Sequence, residues 1–384
     1  MTDHSLGDAR ALTRTLVRLD SRNPSLVPGA PGEEAAARSL AEVLRGWGAR
    51  VDLIESSAGR PCVVGRFGTA GGRSLLLNGH LDTVGVEGMV HAPWEADERA
   101  GRLYGRGSSD MKAGVAAMCA AAARAAASGL AGEVVIAAVT DEEFESAGTR
   151  CLLARGVRAE AAIVTEPTGL AICPAHRGFA WVEVTVHGRA AHGSRYDLGV
   201  DAIRGAALVL AELDAFDEHA LAGRRHPLLG RASLHASTIA GGIGWSTYPD
   251  RCVVQIERRT LPGESPALPL QEVEDACARV RARRPALRTT VRQVFAQAPS
   301  DVAVDAPIVR TLRASLTAQG EAVRVEGMSA WTDAALLNAA GIPAICFGPG
   351  DITLAHAAEE YVDLGEVDRA TVVLGDVIAR WCTA

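Results

Sequence analysis

The chain of 384 residues lacks the features that would place it in a membrane or outside the cell. It contains no run of about 18 apolar residues, the length that a membrane-spanning helix requires. Its N-terminus has no basic stretch followed by an apolar segment and a small-residue cleavage site. These absences predict a soluble, cytoplasmic protein with no membrane partner.

Paired cysteines and a dominant charge are missing as well. The eight cysteines are scattered singly, without a Cys-x-x-Cys pair, which favours reduced, buried thiols over disulfides or a thiolate zinc site. The net charge of −7 comes from 46 acidic and 39 basic residues that are interspersed. No single-sign field therefore points to a nucleic acid partner.

What is present is enough apolar material for a large core and more length than one usual domain. Short apolar runs alternate with segments of helical spacing, and runs such as SLLLNG and EVVIAAV barely alternate between apolar and polar residues. Such runs are typical of strands that are covered on both faces. The predicted fold class is α/β, with a mostly parallel, twisted sheet flanked by helices.

The pattern changes in the middle of the chain. Between residues 179 and 296 a strand, a helix, two strands, a helix and a strand follow one another, with the helices predicted at 198–215 and 269–283. This β-α-β-β-α-β order is the ferredoxin-like arrangement. We therefore expect a catalytic domain made of residues 1–178 and 297–384, interrupted by an inserted lid or dimerisation domain at 179–296.

Histidines and carboxylates follow the predicted buried strands, at the points where these strands end. Because the carboxyl ends of parallel strands line one crevice, the side chains are expected to converge. One further aspartate lies in a Gly-rich turn that reaches the same edge. The residues are His80, Asp110, Glu142, Glu143, Glu166 and His356.

Two imidazoles and several carboxylates in one crevice would repel or desolvate one another unless cations lay between them. Imidazole and carboxylate without thiolate favour a catalytic site for Zn²⁺, with Co²⁺ or Mn²⁺ as substitutes. Two such ions can share a carboxylate and a water, lowering the pKa of that water while polarising a carbonyl. We expect two Zn²⁺ per chain.

Glu142 and Glu143 are adjacent, and neighbouring side chains at a strand end point in different directions. One can bind a metal while the other acts as a general base. Asp82 lies two residues after His80 and is expected to hold that imidazole through its far nitrogen.

At this point the residues resemble a known family, the zinc aminoacylases and carboxypeptidases. That family includes acetylornithine deacetylase, succinyl-diaminopimelate desuccinylase, aminoacylase and glutamate carboxypeptidase. The resemblance extends over about residues 10 to 380 and rests on five motifs in the same order. These are HLDTV at 80–84, GRGSSDMK at 105–112, TDEE at 140–143, TEP at 165–167, and AH at 355–356 with EYV at 360–362.

The resemblance implies a role for each matching position. One zinc would be bound by His80 and Glu166 and the other by Glu143 and His356. Asp110 would bridge them and precede a cis peptide bond. Glu142 matches the general base of the family.

In the inserted domain, the stretch GRAAHGS resembles the one whose histidine stabilises the oxyanion, often in the active site of a partner subunit. This residue is His192. Arg259 matches the arginine that binds the substrate carboxylate, a task that suits its bidentate fork. Its neighbour Arg258 is the alternative, since only one of two adjacent strand residues can face the crevice.

The chain departs from the family pattern at two substrate-binding positions. Ser246 stands where many relatives have an asparagine, which offers both a donor and an acceptor. Trp331 stands where desuccinylases have a small polar residue, and an indole there would narrow the acyl pocket or give it an apolar wall. This difference favours acetyl or another short acyl group over succinyl.

The expected activity is hydrolysis of an N-acyl-L-amino acid, as in acetylornithine deacetylase. A carboxypeptidase or dipeptidase with the same machinery is the alternative, and a binding protein that lost the chemistry is a more distant one. The expected partners are an N-acyl amino acid or dipeptide. A homodimer through the inserted domain and a monomer both remain open.

Overall fold

A computed structural model describes residues 4–69 and 71–383. The chain divides into two compact units. Unit 1 comprises residues up to Pro174 together with Val302–Glu326 and Thr332–Ala384, and unit 2 comprises Ala175–Asp301 and Gly327–Trp331.

The secondary structure elements are numbered here along the chain. The helices are α1 Ala9–Val17, α2 Glu34–Gly46, α3 Ala113–Ala127, α4 Ala147–Ala154, α5 Ala202–His219, α6 Leu268–Arg283, α7 Pro307–Ala318, α8 Ala334–Ala339 and α9 Leu364–Trp381. The strands are β1 Arg50–Ser57, β2 Arg60–Gly68, β3 Ser74–His80, β4 Asp97–Arg99, β5 Arg102–Tyr104, β6 Glu133–Val139, β7 Ala161–Val164, β8 Ile172–His176, β9 Gly178–His187, β10 Arg225–His226, β11 Gly230–Arg231, β12 Ser233–Gly241, β13 Arg251–Thr260, β14 Arg288–Gln297, β15 Ser300–Asp301, β16 Val325–Met328, β17 Ala344–Cys346 and β18 Tyr361–Asp363.

Unit 1 is built on a mixed sheet with the order β1-β2-β6-β3-β7-β17-β8. The central strands β6, β3, β7 and β17 are parallel, whereas β1, β2 and β8 join antiparallel at the sides. The central strands are buried nearly throughout, as the mostly apolar runs predict. The predicted α/β class with a mostly parallel central sheet is confirmed.

The long helix α3 is buried along most of its length, because its alanines let neighbouring elements approach closely. Gly114 shows how close that approach is, since a Cβ there would lie 1.9 Å from the carbonyl oxygen of Thr165. No helix within the described chain has the length and apolar composition needed to cross a membrane.

Unit 2 contains an antiparallel sheet with the order β12-β13-β9-β14. Its elements follow the chain as β9-α5-β12-β13-α6-β14, which is the β-α-β-β-α-β order. Helices α5 and α6 cover one face through an apolar core that includes Val184, Val209 and Val254. Helix α5 begins at Ala202, four residues later than expected, because Asp201 caps it by accepting a hydrogen bond from Arg204 N.

The boundaries of unit 2 differ by a few residues from the predicted 179 and 296. The end of β8 pairs with β15, so residues 175–178 and 297–301 belong to this unit. Gly327–Trp331 also belong to it, because Gly327 packs against Leu228 and Leu229 and the Trp331 ring packs against Phe179. Such distant contacts leave no local signal in the sequence.

Candidate metal centre

The five predicted metal ligands converge at the carboxyl edge of the unit 1 sheet. The Nε2 atom of His80 lies 3.0 Å from Asp110 Oδ1, and the Nε2 atom of His356 lies 3.5 Å from Asp110 Oδ2. His356 Nε2 is also 3.0 Å from Glu143 Oε2. The side chains form two groups that could each hold an ion: His80, Asp110 and Glu166, and Asp110, Glu143 and His356. Asp110 is common to both groups.

A buried carboxylate that the sequence did not single out as functional holds the Asp110 backbone in place. Glu360 accepts hydrogen bonds from the backbone N–H groups of Gly107, Ser109 and Asp110, at 3.0–3.1 Å. It also forms an ion pair of 2.6 Å with Arg106. The peptide bond that follows Asp110 is cis, as the family resemblance implies.

Asp82 contacts the His80 imidazole in a different way from the one expected. The His80 Nδ1 donates to the backbone carbonyl of Asp82 at 2.9 Å, while the nearer carboxylate oxygen is 3.8 Å away. The carboxylate instead accepts hydrogen bonds from the backbone N–H groups of Glu142 and Glu143, each 3.2 Å long, and from the Asn23 side chain. Asp82 therefore orients both the imidazole and the Glu142–Glu143 turn.

Glu142 belongs to neither of the two ligand groups, but Glu166, His80 and Glu143 are near enough to influence its pKa. Its Oε1 is buried and has no hydrogen-bond partner within residues 4–69 and 71–383. Burial, together with the nearby Glu166, raises the pKa of Glu142 well above its usual value. An unpartnered acceptor in this environment can receive a proton, which is the role that sequence reasoning assigned to it.

The electrostatics of the ligand set are those of a site built around cations. Burial raises the pKa of Glu166 well above its usual value, and the neighbouring Asp110 raises it further. The carboxylates of Asp110 and Glu143 raise the pKa of His356 to about 10. Positive charge between these groups would stabilise the ionised carboxylates and the neutral imidazoles. The donor set of two imidazoles and three carboxylates therefore fits two divalent ions.

Sequence reasoning missed a polar network behind the Glu142–Glu143 turn. The Asn23 amide donates to both Asp82 Oδ2 (2.9 Å) and Asp141 Oδ1 (3.1 Å). Its oxygen accepts from Arg60, which also pairs with Asp141 and with the fully buried Glu33. Asn23 and Arg60 stand in segments without any catalytic motif, so their role becomes visible only in three dimensions.

Unit 2 contains the other predicted site residues. His192 is exposed, and its Nδ1 lies 2.8 Å from the hydroxyl of Ser194. Ser246 lies in the adjacent loop, where its carbonyl accepts from Gly193 N at 2.7 Å. The fold thus brings His192 and Ser246 into neighbouring loops.

The two adjacent arginines of β13 have separate environments. Arg258 is fully buried and forms ion pairs with Glu264 and Glu272 at 2.6 and 3.0 Å. Arg259 points to the opposite face of the sheet, where its Nε donates to Glu257. Because the Arg258 side chain is buried and paired inside unit 2, Arg259 is the candidate for binding a substrate.

Trp331, the remaining predicted substrate-binding residue, also lies in unit 2. Its indole donates to the carbonyl of Ala298 at 2.9 Å.

The chain is similar to known proteins in sequence and in fold. The model of peptidase family M20/M25/M40 matches residues 76–380. An acetylornithine deacetylase from Myxococcus xanthus is 31% identical over 322 residues, which cover 82% of each chain. A tripeptidase from Staphylococcus aureus has a similar structure, with a TM-score of 0.81, 18% identity and coverage of 98% of this chain and 99% of the other. A dinuclear metal-binding M20 peptidase from Bacillus subtilis matches with a TM-score of 0.74, 15% identity and 98% coverage of each chain.

Proposed function

Since this chain belongs to peptidase family M20/M25/M40 and is a metal-dependent hydrolase of amide bonds, we propose that it removes a short acyl group from an N-acyl-L-amino acid. The observation that carries the proposal is the shared carboxylate of Asp110 between two ligand groups, with the unpartnered Glu142 beside them. The likeness to the Myxococcus xanthus deacetylase supports acetyl as the acyl group.

Family membership and the two ligand groups support two metal ions, and we propose that both are Zn²⁺, with Co²⁺ or Mn²⁺ as substitutes. His80 and Glu166 would hold one ion, Glu143 and His356 the other, and Asp110 both. When bound, the ions would lower the pKa of a water and polarise the amide carbonyl.

In the proposed reaction, side chains of the protein transfer a proton, stabilise the developing charge and bind the substrate. Glu142 would accept a proton from the attacking water and deliver it to the amide nitrogen as the C–N bond breaks, giving a carboxylate and a free amine. His192 would donate to the oxyanion that forms on the carbonyl oxygen. Arg259 would bind the substrate carboxylate and Ser246 would contribute to holding the substrate backbone.

A metallo-carboxypeptidase or dipeptidase is the second candidate function. It would use the same residues and differ only in the acyl half of the substrate. The structural likeness to a tripeptidase, at 18% identity, is a likeness of fold, and peptides are therefore included among the substrates to be tested.

We also propose a cytoplasmic homodimer. All eight cysteines are free thiols, in keeping with a reducing compartment such as the cytoplasm.

The proposed dimer would form through unit 2. This unit exposes several large apolar side chains of the kind that subunit interfaces cover, namely Ile203, Ile239, Ile243 and Trp245. Light scattering of the purified chain should give twice the monomer mass, and Ile243→Asp should restore the monomer. A monomeric wild-type chain would contradict the dimer.

The test of the function is a substrate panel with the protein loaded with Zn²⁺, Co²⁺ or Mn²⁺. N-acetylornithine and other acetylated amino acids should be hydrolysed faster than dipeptides and a folate-like glutamate conjugate. Glu142→Ala should lower turnover by about 100-fold to 10,000-fold while two metals remain bound. Preferential cleavage of peptides would establish the second candidate instead, and full activity of Glu142→Ala would overturn the mechanism.

A further inference from the structure

Aromatic residues are scarce in this chain, at 4% of the sequence, and four of them lie together in unit 2. Two of the six tryptophans and two of the six phenylalanines contact one another around the face of the sheet that helices α5 and α6 leave uncovered. The ring centroids of Phe179 and Trp181 are 5.3 Å apart, and each lies within 6 Å of Phe295. Trp331 meets Phe179 edge to face at 6.5 Å.

The strand register explains how these rings reach the same face. Along β9, Val182 and Val184 point into the core under the helices, so Phe179 and Trp181 point to the open face. Trp181 pairs with Glu257 on one side and with Phe295 on the other. All four rings are half-buried, so they present apolar surface without being sealed in a core.

Two β-bulges open a cavity beside Trp181. Ser237 is the extra residue of β12, and Val294 is the extra residue of β14. Bulges re-aim side chains and are common next to binding sites. The cavity has a volume of about 360 Å³ and is lined by Trp181, Val182, Ser237, Gln255, Ile256, Glu257 and Val294. A cavity of about 150 Å³ is enough to take a benzene ring.

A cationic group stands at the edge of this aromatic face. The Arg259 guanidinium lies over the Phe179 ring, 5.4 Å from its centroid, and its Nε donates to Glu257. Glu257 also accepts from the Trp181 indole at 3.0 Å, so one carboxylate holds both side chains. The two terminal nitrogens of Arg259 have no hydrogen-bond acceptor in the part of the chain that the structure describes. They are available for a bidentate contact with an anion.

We propose that this cavity is a specificity site for an aromatic side chain of the substrate. The substrate carboxylate binds the terminal nitrogens of Arg259, and the ring enters the cavity against Trp181 and Val294. The inference rests on the proposed function, because that function makes Arg259 the carboxylate-binding residue. It narrows the substrate class to N-acyl amino acids with an aromatic side chain, in preference to N-acetylornithine.

The first test is steady-state kinetics of the metal-loaded protein with N-acetyl-L-phenylalanine, N-acetyl-L-alanine and N-acetyl-L-ornithine. The value of kcat/KM should be at least about tenfold higher for the phenylalanine derivative than for either other substrate, mainly through KM. Trp181→Ala should lower the ratio of the phenylalanine to the alanine value about tenfold, whereas Trp181→Phe should retain most of it. Equal rates for all three substrates would overturn the inference, and no hydrolysis of any of them would overturn the proposed function.

Two further variants keep the test decisive if Trp181→Ala does not fold. Val294 is exposed on an edge strand, so Val294→Asp should fold and should lower the same ratio by placing a charge at the cavity wall. Arg292→Ala is the matched control, because Arg292 lies on the same strand and pairs with Glu183 outside the cavity. It should leave the ratio unchanged. A ratio that Val294→Asp also leaves unchanged would overturn the inference.

Calorimetric titration provides a readout independent of turnover. L-phenylalanine, a product of the proposed reaction, should bind at least about tenfold more tightly than L-alanine, and Val294→Asp should remove most of that difference. Light scattering should show the same oligomer mass for Trp181→Ala, Val294→Asp and the wild type. A changed oligomer mass with a constant substrate ratio would mean that the face is a subunit interface rather than a substrate site, and would overturn the inference.

Discussion

The candidate metal centre of unit 1 and the aromatic face of unit 2 differ in the burial and the polarity of their side chains. In unit 1, charged side chains are buried and hold the backbone through hydrogen bonds. Glu360 accepts from the backbone N–H of Asp110 and Asp82 accepts from that of Glu143, both of which are candidate metal ligands. In unit 2, rings are half-buried on the open side of a sheet whose other side carries the core. Changes in unit 1 should therefore alter turnover and metal content, whereas changes on the face of unit 2 should alter KM.

The largest effect is expected at the residue common to both ligand groups. Asp110→Asn should lower metal content towards zero and reduce turnover by more than about 1,000-fold, since metal ions contribute several kcal/mol to catalysis. Glu166→Gln touches only one group and should leave about one ion per chain. Elemental analysis after dialysis checks both variants, and two retained ions in Asp110→Asn would refute the bridging role.

The adjacent arginines of β13 test the comparison within unit 2. Arg258→Met leaves the buried Glu272 and the partly buried Glu264 without their main partner. The variant should lower the free energy of unfolding by about 3 kcal/mol, the lower end of the range for broken buried pairs, because Arg224 still contacts both carboxylates. Arg259→Met should change stability by less than about 1 kcal/mol and raise KM instead. Urea unfolding and kinetics of both variants measure this contrast. Equal loss of stability would contradict the assignment.

A pH effect is expected from His176, which is buried in unit 2. Burial lowers its pKa to about 4, below the usual 6.5. The neutral imidazole therefore contributes stability that is fully present above pH 6.5 and is lost as the pH falls towards 4, amounting to about 3 kcal/mol. His176→Leu should lose less stability than the wild type between pH 7 and 4.5 in urea unfolding. Parallel pH profiles would show that His176 does not contribute.

The smallest effect is expected behind the metal centre, at Asn23. Asn23→Asp places a carboxylate where Asp82 and Asp141 both need a donor, and it should reduce kcat by about 10-fold to 100-fold with little change in KM. Asn338→Asp is the matched control, because Asn338 bonds the backbone of Ala344 away from the site. If both variants lose the same activity, Asn23 is no more than a structural residue.

Much of the fold could be predicted because its signals are local. The central strands of unit 1 are buried on both faces, and short, mostly apolar runs at 74–79, 133–139 and 161–165 predict them closely. Most candidate ligands were found because they follow a buried strand, and Asp110 was found because it lies in a Gly-rich turn at the same edge; all of them match a motif. Their convergence is seen in the structure, while their roles as ligands remain predictions.

The sequence by itself determined the family, the α/β architecture and the candidate ligand set, because these depend on residue type and spacing along the chain. Only the tertiary structure decided three further features. It decided which atom of Asp82 binds the His80 imidazole, which arginine of β13 is buried, and which aromatic rings contact one another. Those outcomes depend on contacts between residues such as Trp331 and Phe179, or Asn23 and Asp82, that are distant in the chain. Strand register and side-chain direction, rather than composition, bring them together.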